Sequence, residues 1–390
     1  MKELSNKVLN LKPSQIMDFF TMVLKEKDVI SFCVGQPNFK TPAHIAAKAS
    51  DSILEGKNFY TSDNGMLELR ELISKHLYKN YNCEYNTDEI LLTIGASEAI
   101  DLICRTLINP YDEVIVFDPV YDAYVPCIRL NNGIDKHVLL KKENDYKIDI
   151  IDLEKAITDK TKAIIINYPN NPTGAIMNRS DLLKLADICI KHDLYVISDE
   201  IYSSLTYDTF HVSIASLPNM KERTILINGF SKAYAMTGFR LGYICADKNI
   251  ITIMKTIHSY TIVSCPSMSQ YAAIEALESG DSDVSYMVEE YNKRRIYAYN
   301  RLKSMGLDVN EPKGAFYLFP SIKEFNMTSL EFATRLFKEY KVAVVPGTAF
   351  GESGKYNLRI SYTASLSDIE KGMDKLEEFI NKLRNNLHWN

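Results

Sequence analysis

The stretch Ala163–Ser198, AIIINYPNNPTGAIMNRSDLLKLADICIKHDLYVIS, carries the fold in a single reading. An apolar, β-branched run (Ala163–Asn167) leads into a turn-rich segment. Ser180–His192 follows, with Leu182, Leu183, Leu185, Ala186 and Cys189 recurring at helical spacing, and Ser180 can cap its start. A second apolar run, Leu194–Ser198, closes the unit. Strand, helix, strand predicts a parallel βαβ unit in a sheet covered on both faces. Working outward, Ile90–Ile94, Glu113–Phe117, Thr224–Asn228 and Gly242–Ala246 read as further strands. After about residue 275 the texture changes. Asp281–Lys303 reads as a long charged helix with Tyr, Met and Val on its apolar side, and Ser367–Leu387 reads as a closing helix. The expected fold is α/β. Residues 46–280 form a large domain whose mostly parallel sheet carries helices on both faces, 281–390 form a smaller α/β domain, and 1–45 form an N-terminal arm and part of the smaller domain.

Bulk properties narrow the class of function. The chain has 390 residues, of which 46% are hydrophobic and 24% charged, an ordinary globular balance. A net charge of -5 argues against a nucleic-acid footprint. No apolar run is long enough to span a membrane, and Met1–Lys7 lacks the apolar core of a signal peptide. The seven cysteines are scattered, with no C-x-x-C, which predicts reduced, mostly buried thiols in a cytoplasmic protein. The seven histidines show no H-x-x-x-H pairing, and no metal site is expected.

In open α/β sheets, ligands sit at the carboxyl ends of strands. Gly95-Ala96-Ser97, Asn171, Asp199 and Lys232 each lie just past a predicted strand. In Phe230-Ser231-Lys232-Ala233-Tyr234-Ala235-Met236-Thr237-Gly238-Phe239-Arg240-Leu241-Gly242, a lysine stands among small and hydroxylated residues with an arginine eight positions on. Burial or a second cation lowers a lysine pKa and makes its amine a nucleophile toward an aldehyde. A nearby cation suits the phosphate of an aldehyde cofactor. Asp199 could pair with a protonated pyridine nitrogen and keep the ring an electron sink, and Tyr202 could reach a ring oxygen. A helix-start acid beside a solvated tyrosine would look the same. Asn167-Tyr168-Pro169-Asn170-Asn171-Pro172-Thr173-Gly174 fixes tight turns and also holds an amide rigidly enough to bond a bound ring. Gly95-Ala96-Ser97-Glu98 joins strand to helix, which serves either an ordinary N-cap or a phosphate site. Tyr121 could stack on a flat ring or belong to the core. Arg359, in the strand-like Asn357–Ser361, needs an anion, either a structural acid or a substrate carboxylate.

Taken together and in order, N-N-P-T-G, S-D-E-I-Y, F-S-K and N-L-R-I-S resemble the class I/II aminotransferases, the aspartate-aminotransferase-like branch of fold type I pyridoxal-phosphate enzymes. The resemblance runs from Leu11-Lys12-Pro13-Ser14 through Gly35-Gln36-Pro37-Asn38 and Tyr60-Thr61 to Arg359. It implies pyridoxal 5'-phosphate as cofactor and Lys232 as Schiff-base lysine and proton shuttle. Asp199 is then the partner of the pyridine nitrogen, Tyr202 and Asn171 bond the ring oxygen, and Tyr121 stacks on the ring. Ala96, Ser97, Ser231 and Arg240 hold the phosphate. Tyr60 reaches the phosphate of a neighbouring subunit, which implies a homodimer with shared sites. Arg359, Asn171 and the Gly35 backbone hold a substrate α-carboxylate. The expected reaction moves an amino group from an L-amino acid to a 2-oxo acid, and the alternative is a C–S lyase of the same fold.

Two positions depart from the family pattern. Gly229 stands where many relatives carry Ser or Thr against the phosphate, which predicts weaker cofactor retention, relieved by Gly229→Ser. Cys33 stands where relatives often have Gly, and either lines the site or packs. No distal arginine for a dicarboxylate is identifiable. Lys12, Phe19, Phe20, Tyr60 and Tyr260 could shape a side-chain pocket. Ile257–Pro266 resembles broad aromatic, aspartate and diaminopimelate-type members, with His258 a structural or interface residue.

Overall fold

The computed structural model describes residues 2–9, 11 and 13–387; Lys12, among the residues expected to shape the pocket, lies outside them. The central sheet has seven strands, labelled in chain order β1 (Ile90–Thr93), β2 (Glu113–Asp118), β3 (Ile134–Leu139), β4 (Thr161–Asn167), β5 (Tyr195–Asp199), β6 (Thr224–Gly229) and β7 (Gly242–Cys245). Their spatial order is β1-β7-β6-β5-β4-β2-β3. Only β7 runs against its neighbours, and every other pairing is parallel. The fold is therefore α/β, with the mostly parallel sheet expected.

Successive strand residues point to opposite faces, and here both faces are covered. Ile164 and Ile166 enter one core, while Ala163 and Ile165 enter another. The second core is closed by helices Gly95–Leu107 and Lys248–Thr261, through Ile100, Ile103, Ile251 and Met254. The first continues into the C-terminal part, reaching Phe316, Leu336 and Phe379. A small antiparallel sheet there joins Val345–Pro346, Leu358–Ser361 and Tyr317–Leu318. Ile30–Ser31 pairs in parallel with Val342–Ala343, tying the N-terminal segment to this region.

One local reading is corrected, one strand went unread, and the long charged helix is found where it was expected. The crossover helix spans Arg179–Lys191 and is capped by Asn178, whose side chain accepts from the Asp181 amide while Asp181 returns a bond to the Asn178 amide. Ser180 therefore lies inside the first turn, and Leu183 faces solvent while Leu182, Leu185, Ala186 and Cys189 are buried. Strand β3 carried no readable signal: it is an edge strand with only Val138 buried, so Asp135, Lys136 and His137 break the apolar pattern. The long helix spans Asp281–Ser304 and buries Arg294 and Arg295 beside Met287, Tyr291 and Ala298. The Arg295 charge is met by Glu311 at 2.7 Å and Asp208 at 3.1 Å.

Ile197, in the middle of β5, is 1% exposed and packs into the second core. Ile197→Ala should lower unfolding free energy by about 2–5 kcal/mol. Urea denaturation followed by circular dichroism checks this, with the midpoint falling and the slope unchanged.

Candidate active site

The parallel strands deliver their carboxyl ends to one edge of the sheet, beside a cavity of about 580 Å³. Register does the fine placement. Asn167 pairs with Asp199 across β4 and β5, so their side chains reach the same edge. Asn167 Nδ2 donates to the Asp199 carbonyl at 2.9 Å, and its Oδ1 accepts from the Asn171 amide at 2.9 Å. One asparagine thus fixes both the carboxylate-bearing turn and the turn that carries Asn171.

Asp199 is buried, and burial pushes its carboxyl up to about 6, opposed by hydrogen bonds from the Tyr124 hydroxyl and the Ile201 amide. Tyr124 Oη donates to Asp199 Oδ2 at 2.7 Å. The Lys232 amine lines the same cavity and donates to the Gly35 carbonyl at 2.6 Å. Burial first, then the charges of Arg359 and Arg240, lower its pKa to about 8, with Asp199 opposing. Sequence motifs alone had suggested such a depressed lysine, and these are its causes.

One end of the cavity is built for an anion. Helix Gly95–Leu107 points its N-terminus at it, where backbone N–H groups lack intrahelical partners. No side chain caps this end. Glu98 Oε2 instead accepts from the Ile94 amide at 2.5 Å, and Ser97 lies inside the first turn. Ala96, Ser97, Ser231, Thr237 and Arg240 line the wall here. Gly95 has φ +68°, and a Cβ on it would stand 2.7 Å from Arg240 Nη2. Its lack of a side chain lets the guanidinium lie against the helix start. Arg240 donates to the Thr237 carbonyl at 2.9 Å and has no acidic partner among the described residues.

A second cation lies under the small sheet. Arg359 is 2% exposed, yet among the described residues no carboxylate pairs with it. Nη2 donates to the Cys33 carbonyl at 2.6 Å, Nη1 donates to Asn171 Oδ1 at 3.1 Å, and Nε has no partner. Its guanidinium stacks over Tyr317 at 4.6 Å and Phe350 at 5.0 Å. A buried cation held only by neutral groups is costly unless an anion joins it.

The structure brings Lys232, Asp199, Tyr202, Asn171, Tyr121, Ala96, Ser97, Ser231, Arg240, Gly35 and Arg359 to one cavity. Tyr60 is not there: it is 84% exposed and lies outside the lining. Ser14 and Phe20 of the N-terminal segment reach the lining, whereas Phe19 is buried in the core and Tyr260 is exposed away from the cavity. The sequence reading missed Asn167, Tyr124 and Tyr317. Tyr317 shares a 2.7 Å hydrogen bond with Tyr202 through their hydroxyls. Nothing local marks Tyr124 or Tyr317, each an aromatic in an apolar run. Asn167 stands at the head of the N-Y-P-N-N-P-T-G motif and could have been read from it. Cys33 does both things envisaged for it: it packs in the core, where burial pushes its thiol up to about 12, and it touches the cavity wall. Gly229 lies outside the lining, and a Cβ there would meet the Gly242 Cα at 2.8 Å and the Leu241 carbonyl at 3.0 Å. Gly229→Ser would therefore press β6 against β7, and is not the clean test of a missing hydrogen bond it was expected to be. His258 is fully buried and bonds Glu98 at 2.7 Å, bracing the helix start from behind.

Residues 27–376 match the family model for aminotransferase class I and II, and the chain belongs to that family. Its activity is that of a pyridoxal-phosphate-dependent aminotransferase, and nothing among the relatives favours the elimination alternative. The chain is 41% identical to a probable N-acetyl-LL-diaminopimelate aminotransferase of Bacillus subtilis, over 98% of this chain and 96% of that one. It is equally 41% identical to an aspartate aminotransferase of Pyrococcus abyssi, over 97% and 98%. The crystal structure of Pyrococcus protein-A1 superposes with a TM-score of 0.95 at 39% identity, covering 98% of this chain and all of that one.

Lys232 should titrate near pH 8 in the cofactor-free protein, well below the ordinary lysine value of 10.5. Competitive acylation across pH, quantified by mass spectrometry at each lysine, should put its half-maximal reactivity at about 8.

Proposed function

We propose that this cavity binds pyridoxal 5'-phosphate and that Lys232 carries the transamination chemistry. The observation that carries the reading is a lysine amine with its pKa lowered to about 8, in one cavity with a buried carboxylate and two arginines that lack acidic partners among the described residues. The cofactor, when bound, supplies an aldehyde and an electron-accepting pyridine ring.

Every other part is played by the chain. Lys232 would tether the group through its amine and, as a free amine, would take and return the substrate Cα proton. An amine with a pKa near working pH suits both halves of that exchange. Asp199 holds a proton at the ring nitrogen, and Tyr124 keeps the carboxylate oriented. Its raised pKa in the free protein reflects burial that the Tyr124 and Ile201 hydrogen bonds and the Lys232 charge only partly offset, and a pyridinium would add an opposite charge. Tyr202, Asn171 and Tyr121, all in the cavity lining, would hold the ring. Arg240, Ser97, Ser231 and the amides at Ala96 and Ser97 hold the phosphate. Arg359, with Asn171 and the Gly35 backbone, would take the substrate α-carboxylate, which would give the unpartnered Arg359 Nε an acceptor.

Tyr60, exposed and outside the lining of its own cavity, is assigned to the site of a second copy, so the proposed assembly is a homodimer with shared sites. The proposed division remains an N-terminal arm (1–45), a large domain (46–280) and a small domain (281–390), supported by the pairing of Ile30–Ser31 with Val342–Ala343. The proposed compartment is the cytoplasm, a reading supported by seven free cysteines. Among the described residues no helix is long and apolar enough to cross a membrane.

Lys232→Ala should lower turnover by at least about 10²–10⁴-fold while the protein still binds the cofactor, followed by absorbance and single-turnover kinetics. Near-normal turnover would overturn the assignment. Arg359→Lys should raise KM for every amino acid by about 10–100-fold, because a lysine cannot reproduce the two-pronged grip. Equal KM values in variant and parent would remove Arg359 from the carboxylate site.

A further inference from the structure

His258 sits where an apolar side chain would serve the packing alone. Helix Lys248–Thr261 turns Ile251, Met254 and His258 inward, three residues on one face at helical spacing. Ile251 and Met254 enter the second core with Ile100 and Ile103 of helix Gly95–Leu107, whose start forms the anion end of the cavity. His258 is fully buried on that face, and its Nε2 has no hydrogen-bond partner among the described residues. A leucine would bury no polar atom there, and an unpaired buried nitrogen is destabilising.

The compensation lies at the other ring nitrogen. His258 Nδ1 is 2.7 Å from Glu98 Oε1. An ionised carboxylate only accepts, so the ring carries its proton at Nδ1 and donates it to the bond. Glu98 Oε2 accepts from the Ile94 amide at 2.5 Å. Both oxygens of this acid are thus held, one by the backbone entering the helix and one by the neighbouring helix. The arrangement is half of a capping box. In the whole motif an acid near the helix start reaches back to the N-cap amide, while the N-cap side chain accepts from a first-turn amide. Asn178 and Asp181 form the whole motif on the crossover helix. At helix Gly95–Leu107 the N-cap is Ile94, which has no acceptor in its side chain, so only the acid's half is built. The first-turn residues Ala96 and Ser97 stand on the cavity wall, where a phosphate would complete the box. A Glu98 side chain released from His258 would be a rival acceptor for the same amides and a like charge beside the phosphate.

We propose that His258, acting through Glu98, is a positioning residue for the cofactor phosphate: it pins the acid to the Ile94 amide and so keeps the first-turn amides of helix Gly95–Leu107 open to the anion. The inference rests on the assignment of the phosphate to this end of the cavity.

The test uses the full-length protein stripped of cofactor, titrated in parallel with pyridoxal 5'-phosphate and with pyridoxal, which lacks the phosphate, and followed by ligand absorbance. His258→Leu should weaken pyridoxal 5'-phosphate at least about tenfold, the size of one lost hydrogen bond to a charged group, and leave pyridoxal binding unchanged. His258→Asn, whose amide nitrogen falls near the place of Nδ1, should bind both ligands as the parent does. His258→Gln, whose amide falls near the place of Nε2, should behave like the leucine variant. The Asn and Gln variants decide the matter if the leucine variant does not fold. In a Glu98→Gln background, His258→Leu should weaken pyridoxal 5'-phosphate little further, because the effect passes through the acid. An equal loss for both ligands marks a merely structural histidine and overturns the proposal. So does unchanged binding in the Leu and Gln variants, or an Asn variant as weak as the Gln one. A parent protein that binds pyridoxal as tightly as pyridoxal 5'-phosphate would instead sink the phosphate assignment beneath it, so the two failures are told apart.

Discussion

Arg359 is a full positive charge taken almost out of water and met, among the described residues, only by a carbonyl, an amide oxygen and two aromatic faces. Burying a charge with so incomplete a set of partners is costly unless an anion joins it. The same cavity asks Lys232 to lose proton affinity. Its shift from 10.5 to about 8 corresponds to roughly 3 kcal/mol against the ammonium form. Desolvation dominates and the two arginines add to it. The unmatched charge of Arg359 and the low pKa of Lys232 thus share one cause, the removal of cationic groups from water.

Such a site needs a stiff frame, because charges pressed together will move apart if the backbone allows it. The frame is the central sheet, covered on both faces and packed through alternating strand residues into separate cores. Asn167 and Asp199 stand side by side because β4 and β5 pair in one register, and a slip of one residue would put the two side chains on opposite faces of the sheet. Arg359 arrives from elsewhere, on the small sheet, whose register sets Ser361 against Tyr317 and Ile360 against Leu318. The N-terminal segment closes another wall and anchors itself at Ser14 to Asp122. Elements far apart in the chain therefore meet at one cavity.

Much of this was legible beforehand, for identifiable reasons. Six of the seven central strands are short apolar runs bounded by turn residues, and each was found within a residue or two of its observed limits. Strand β3 was not, because an edge strand buries one side chain and keeps polar residues elsewhere. The crossover helix was found but its cap was misplaced by two positions, since Asn178 and Ser180 are both competent N-caps. The tyrosines that support the site were invisible: a buried tyrosine with a functional hydroxyl partner has the same sequence context as one that only fills space.

By itself the sequence determined which chemical groups this protein owns and in what order: a lysine after β6, an acid at the end of β5, a rigid asparagine turn, a bare helix start and a late arginine. Those are local facts, written in motifs and periodicity. Only the tertiary structure decided how those groups act on one another. It lowered the Lys232 pKa by burial, left Arg359 without a carboxylate among the described residues, bonded Tyr124 to Asp199, and kept Tyr60 out of the cavity lining. Proton affinity and charge balance depend on what lies across a cavity, and that is fixed by which distant strands and helices pack together.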